Sequence, residues 1–291
     1  MANRAKVEAT EPAPEPRPPA PHFVPPRERF LELRARINQR TTIIFGVLGI
    51  MAFFAIWEIG SVFTPESQRR FLPPPEHVFV VLFTLLTEKD FVLDIGKSLY
   101  RIYASYLIAC VVGIPIGVGL GCFVRLRALI GPTIAGLRYL PAVSLVPLLL
   151  IWFGPTDLTK MALLFLGCFW FMIVVVLDIT LAVPEEIVES SLTMGARRWR
   201  VVFGVILRYS APSILGAIRS LAAIGWTYLV VAEIIAATDG IGAVMMRAGR
   251  FLHVDTIMAG ILTIGILGVL TDILFRLLAR GMFPYQYRRR G

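Results

Sequence analysis

The stretch EEIVESSLTMGARRWRVVFGVILRYSAP, residues 185–212, lies between two long apolar runs, 161–183 and 213–237. It opens with Glu185, Glu186 and Glu189 and then carries Arg197, Arg198, Arg200 and Arg208 around Gly195. A polar, basic, helix-prone insert between two runs of membrane length makes the chain a polytopic membrane protein. Its own pattern predicts two short helices. Pro184 precedes two acids suited to a helix N-terminus. Residues 189–194 continue that helix, and Gly195 breaks it, since glycine reaches conformations closed to other residues. The segment ARRWRVVFGVIL resumes as a basic helix with Trp199, Val202 and Phe203 on a connected face, and Pro212 marks the start of the next span. An exposed, structured loop of this kind is a docking element rather than filler.

Composition agrees. The 291 residues are 56% hydrophobic with a net charge of +9, and mean hydropathy is +0.72. In a soluble protein the charge would point to nucleic acid. Here it points to basic loops on the anionic inner face of a membrane, and no nucleic-acid partner is expected. Cys110, Cys122 and Cys168 all fall inside apolar runs and read as packing residues. Residues 1–27 hold Pro12, Pro14, Pro16, Pro18, Pro19, Pro21, Pro25 and Pro26, a density that forbids helix and ladder and predicts a disordered cytoplasmic tail. RERFLELRARINQR, residues 27–40, suits either an amphipathic surface helix or a plain juxtamembrane charge cluster. The expected organisation is thus a tail over 1–40, a transmembrane domain over 41–283 with the loop 184–212 inside it, and a basic tail over 284–291.

The expected class is an all-α polytopic bundle of six spans, at 42–63, 102–123, 129–153, 161–183, 213–237 and 256–278. Each suits about 30 Å of hydrocarbon at about 1.5 Å per residue. Of the 29 Lys and Arg residues, 21 fall on the side that holds both termini and the 185–212 loop, the remaining 8 being Arg69, Arg70, Lys89, Lys97, Arg101, Lys160, Arg247 and Arg250. The richer side is cytoplasmic. Residues 76–87, on the opposite side, have helical apolar spacing and are expected to lie along the outer surface.

Inside the spans, Gly113, Gly117 and Gly121 recur every four residues, a small face for close helix contact, and Pro115 adds a kink. The third span is broken by Pro141 and Pro147, which suits a segment lining a cavity. Arg138, just before the Pro141 break, the two prolines, and Ser144 between them, with Trp226 and Glu233 on the fifth span, are candidate pathway residues. Arg138 meets either an anion near the inner exit or a lipid headgroup. Glu233 is a candidate to hydrogen-bond the following AATDGIG loop. Arg219 reads as a snorkelling residue and Asp272–Arg276 as a helical ion pair. Arg247 and Arg250 face outward, toward an anion, a partner or solvent.

Enzymatic chemistry is not expected of this chain. FVLDIGKS, residues 91–98, ends in Gly-Lys-Ser but has Phe91 where a phosphate-cradling loop needs glycine. The histidines His22, His77 and His253 are scattered and suggest no metal. No nucleophile-elbow motif occurs.

The loop resembles that of permease subunits of binding-protein-dependent ABC importers. Their motif is Glu-Ala-Ala, three residues, Gly, nine residues, an aliphatic, any residue, Leu, Pro. This chain gives Glu189-Ser190-Ser191, then Gly195, then nine residues to Val205, Ile206, Leu207 and Arg208. Serines replace the alanines and Arg208 the proline. FLPPPEHV, GIPIGVGLG, RYLPAVSLVPLLLIWFG and VVAEIIAATDGIG extend the resemblance over residues 42–283, to the nitrate, taurine, aliphatic sulfonate and bicarbonate branch. The resemblance implies a type I permease fold and alternating access in a bacterial inner membrane. It implies a second, identical permease chain and a soluble substrate-binding protein outside. Two P-loop ATPase subunits, carrying the ATP and Mg, would dock on Glu189, Ser190, Ser191, Gly195, Ala196, Arg197 and Trp199. Two other readings stay open. An ion-coupled secondary carrier would show buried mid-span carboxylates and an inverted repeat. A non-transporting scaffold would use its basic loops for lipid or acidic partners.

Overall fold

The structure, a computed structural model, describes residues 38–88, 90–236 and 238–287. The disordered tail and most of the juxtamembrane segment expected over 1–40, and the end of the 284–291 tail, lie outside them. By contacts the chain divides between Ala52 and Phe53. All regular structure among the described residues is helical.

Helix α1 runs Gln39–Phe63 and α2 runs Pro75–Glu88. The helix expected over 76–87 therefore forms. It packs Val78, Leu82 and Leu85 with Phe91, Ile241 and Ala259, and the indole of Trp57 donates to the Pro73 carbonyl at 3.0 Å. Three long helices make the centre: α3, Phe91–Cys122; α6, Asp157–Leu181; and α9, Leu207–Ile235. Between α3 and α6 come α4, Val124–Leu137, and α5, Val146–Phe153, with α7, Glu185–Thr193, and α8, Arg198–Val201, carrying the loop after α6. Ile241–Arg250 forms α10, Val254–Met282 forms α11 and Pro284–Tyr287 forms α12. Among the described residues five helices are long and apolar enough to cross a membrane, and the α4–α5 pair, bent by 84°, makes a sixth span if counted as one.

The Gly113/Gly117/Gly121 face does what its spacing predicts. A Cβ on Gly113 would stand 3.1 Å from Met172, and one on Gly117 would stand 2.7 Å from Val176 and 2.8 Å from the Ile173 carbonyl. Gly121 faces Thr180 in the same way. The three glycines thus let α3 lie directly against α6. Gly117→Ala should cost about 1–3 kcal/mol by overpacking, whereas Gly216→Ala, with nothing within 4 Å of its Cβ, should be neutral or stabilising. Thermal melts of the detergent-solubilised variants measure the difference. Cys110, Cys122 and Cys168 are free and pack in the same central cluster.

Several boundaries differ from the sequence reading. The second span starts at Phe91, eleven residues early, because the charges of its first turns have partners inside the protein. Pro115 lies within an unbroken α3. Pro212 does not open the fifth span. A continuous helical stretch from Arg198 to Ile235 contains it, passing through a π turn at Val202–Ile206. Pro147 does not break a helix either. It sits in the first turn of α5, where a missing N–H costs nothing, and the break is made at Pro141 alone. Arg219 has an ion-pair partner as well. Its Nη2 donates to Asp272 Oδ2 at 3.2 Å, and Asp272 also takes the expected Arg276, whose Nε lies at 2.9 Å.

Candidate docking loop and pathway residues

Helix α7, Glu185–Thr193, begins after Pro184 with two acids in its first turn. It ends in a two-bond glycine cap: Gly195 N–H donates to the Leu192 carbonyl at 2.9 Å, and Ala196 N–H to the Ser191 carbonyl at 3.1 Å. That cap needs a left-handed residue, and Gly195 has φ 84°. No atom lies within 4 Å of a Cβ built there, so the requirement is conformational rather than steric. The chain then turns through Arg197 into α8, Arg198–Val201, and the π turn.

A small private core holds this element in place. Val183, Val201 and Ile206 are buried, with Cys122, Val188, Ala196 and Val205 packed against them. Trp199 stacks on Phe203 with ring centroids 5.9 Å apart and meets the edge of Phe123 at 5.6 Å. Ser191 is buried and donates to the Ile187 carbonyl at 2.7 Å, and Ser190 donates to the same carbonyl at 3.1 Å. Two serines thus replace apolar residues without orphaned hydroxyls. The outward side keeps Glu189, Arg197, Arg198 and Arg200 exposed beside Leu192, Met194 and Trp199. A rigid, charged rim around apolar side chains is what a protein partner recognises.

At the opposite end of the bundle lies an ionic cluster that the sequence reading missed. Arg101 of α3 is fully buried. Its Nη1 donates to Glu233 Oε1 at 2.9 Å, its Nε to Asp157 Oδ1 at 2.9 Å, and its Nη2 to Asp239. Glu233, also fully buried, accepts from Ser98 Oγ at 2.7 Å and from Gly242 N–H at 2.9 Å. The Glu233 bond to the AATDGIG loop is therefore present, but Glu233 is a fully partnered member of a cluster rather than a lone span-end carboxylate. Lys160 reaches Asp239 Oδ1 at 2.9 Å and Thr238 Oγ1 at 2.7 Å, and Lys97 reaches Asp239 Oδ2 at 2.7 Å. Gly240, at φ 99°, brings the loop backbone against the Glu233 carboxylate, where any Cβ would overlap it. Burial alone would raise the Asp239 carboxyl, but hydrogen bonds from Lys97, Lys160 and Arg101 outweigh it and hold that carboxyl well below the usual range. A depressed carboxylate contributes its stability above its ordinary pKa and loses it only as pH falls through the lowered one. The Asp239 carboxylate therefore stays ionised at any pH near neutral.

Arg138, Pro141, Ser144 and Pro147 come together on the broken span. Pro141 precedes a 3₁₀ turn, Ala142–Leu145, whose Ser144 donates to the Pro141 carbonyl at 2.7 Å. Arg138 lies over the Tyr139 ring at 4.9 Å and gives one Nη2 hydrogen to Tyr139 Oη at 3.0 Å. Trp226 is separate from them, buried among Ile102, Leu164 and Leu229. Among the described residues no group of three or more His, Cys, Asp or Glu could hold a metal.

The fold and loop define a class. The family model "Binding-protein-dependent transport system inner membrane component" matches residues 113–284. The taurine transport system permease protein of Escherichia coli K12 is 31% identical over 260 residues, 88% of this chain and 94% of that protein. A putative aliphatic sulfonates transport permease protein of Bacillus subtilis 168 is 28% identical, covering 84% and 89%. The bicarbonate transport system permease protein of Synechococcus elongatus is 24% identical, covering 79% and 86%. Among solved structures, a chain of the MetNI methionine ABC transporter in an inward-facing conformation has a TM-score of 0.56 at 18% identity, covering 66% of this chain and 95% of its own. The chain belongs to the family of inner-membrane permease subunits of binding-protein-dependent ABC importers.

Proposed function

We propose that this chain forms, as a pair of identical copies, the translocation path of an ATP-driven importer for a small oxyanion such as a sulfonate or bicarbonate. The observation that carries this reading is the α7–Gly195–α8 element, a pre-shaped exposed surface with its own core. The element faces the cytoplasm and receives a P-loop ATPase, one per permease, which holds the ATP and Mg. Both termini lie on that side, and a binding protein delivers solute at the end that carries the Arg101 cluster. The permeases named for taurine, aliphatic sulfonates and bicarbonate support the substrate class. Closure of the ATPase pair moves α7 and α8, and the π turn passes that motion into α9.

Reconstitution with the ATPase and binding protein encoded beside it provides the test. Uptake of labelled taurine, ethanesulfonate or bicarbonate should require ATP and the binding protein together. Uptake driven by an ion gradient without ATP would favour a secondary carrier. For orientation, Ser190→Cys in a cysteine-free chain should react with an impermeant maleimide only after cells are permeabilised. Phe251→Cys, after α10 and 74% exposed, should react in intact cells. The reverse pattern would remove the docking role.

A further inference from the structure

Arg138 was counted with the cytoplasmic charges although it falls inside the expected 129–153 span, and the structure places it at the break of that span. Helix α4 starts just after Phe123, beside Trp199 of the docking loop, and runs fourteen residues, about 21 Å, before reaching Arg138. After the 84° bend, α5 ends at Phe153, and α6 opens at Asp157, which bonds Arg101 at the other end of the bundle. The arginine therefore sits at the break of a discontinuous helix, with one half leading to each end.

A guanidinium at such a depth is costly unless something answers its charge. Three other cations on the span helices, Arg101, Lys160 and Arg219, each meet carboxylates. Arg138 meets none among the described residues. Its one hydrogen-bond partner there is the neutral Tyr139 hydroxyl, and its Nε–H is buried with no acceptor. Tyr139 and Leu140, at the same break, are 74% and 53% exposed, so the segment is not sealed inside the single chain. The planar Tyr139 ring lies against the guanidinium, and no hydrogen bond among the described residues occupies its Nη1.

We propose that Arg138 is the residue at mid-path that recognises the oxyanion head of the transported solute, whether sulfonate or bicarbonate. The proposal rests on the permease reading above and gives it a substrate-contacting residue. Ser144, bonded to the Pro141 carbonyl in the turn that follows the break and exposed, provides the reporter position.

The test needs no knowledge of the natural solute. Ser144→Cys is placed in a cysteine-free chain assembled with its ATPase. Two thiol reagents of similar size are applied: 2-sulfonatoethyl methanethiosulfonate, an alkyl sulfonate, and the cationic 2-(trimethylammonium)ethyl analogue. With Arg138 present, the anionic reagent should react roughly tenfold faster relative to the cationic one than it does with Arg138→Gln, as one nearby charge of low screening produces. Arg138→Lys should keep part of the preference, since it keeps the charge and loses the fork. A rate ratio unchanged by Arg138→Gln would overturn the proposal, as would a thiol at position 144 that neither reagent reaches. Retention of the ATPase by the same variants, measured in parallel, keeps a failure of Arg138 distinct from a failure of the permease reading.

Discussion

Gly195→Val and Glu189→Lys should each abolish uptake while the chain still inserts and pairs. Both should release the ATPase during purification, and both should lose stimulation of ATP hydrolysis by the loaded binding protein. The reason differs between them. Gly195 has φ 84° in a two-bond cap, and a β-branched residue there costs about 1–2 kcal/mol or more. The cost falls on a loop with its own small core, outside the six spans, so it displaces the docking face and leaves the bundle folded. The open space around Gly195 sharpens the expectation. Because conformation and not volume is at issue, Gly195→Asn, which tolerates the left-handed region, should retain most of the activity. Glu189 is exposed, and reversing its charge acts across the interface rather than on the fold. Normal uptake and full ATPase retention in both Gly195→Val and Glu189→Lys would make the loop a plain connector.

The second large effect is on assembly. Arg101→Met should sharply reduce the amount of folded permease and lower its melting temperature in detergent. Removing the cation strands the fully buried Glu233 and takes a donor from Asp157 and Asp239, and breaking a buried pair in this way costs about 3–5 kcal/mol. Arg101→Lys should rescue little, since one ammonium cannot reach three carboxylates in the geometry of the guanidinium fork. Glu233→Gln should be milder. The amide oxygen can still accept a hydrogen bond, and Arg101 keeps Asp157 and Asp239. Equal stability of Arg101→Met and wild type would mean that the cluster does not hold α3, α6, α9 and the 236–242 loop together.

Much of this molecule is written locally. The glycines of α3 announce a close contact by their spacing, and the loop announces two helices around a left-handed turn by an acid pair, a glycine and a basic resumption. These features depend on neighbours in sequence, so they were legible. The Arg101 cluster was not, because its hydrogen bonds join Lys97, Ser98, Arg101, Asp157, Lys160, Glu233 and Asp239 across separations of 56 to 142 residues. A signal existed: Asp94, Lys97, Ser98 and Arg101 share one side of a helix, ahead of a Thr-Asp-Gly turn. It was obscured because the same residues look like a failed phosphate loop. Arg138 illustrates a different limit. Charge counting assigned it to the cytoplasmic surface even though it falls inside the 129–153 span, and the fourteen helical residues of α4 ahead of it show how far it lies from that surface. Pro147 and Pro212 misled for a related reason. A proline reads as a break in sequence, whereas Pro147 sits in a helix's first turn and Pro212 within a continuous helix.

The central claim, that the α7–Gly195–α8 element receives an ATPase, is tested most directly by a photo-crosslink. Trp199→p-benzoylphenylalanine, in the exposed aromatic pair of α8, is irradiated in native membranes and the adduct identified by mass spectrometry. The account predicts an adduct with a protein whose peptides contain the Gly-x-x-x-x-Gly-Lys-Ser/Thr motif, and its loss in Gly195→Val. An adduct with lipid alone, or with a protein outside the membrane's ATPase side, would contradict it.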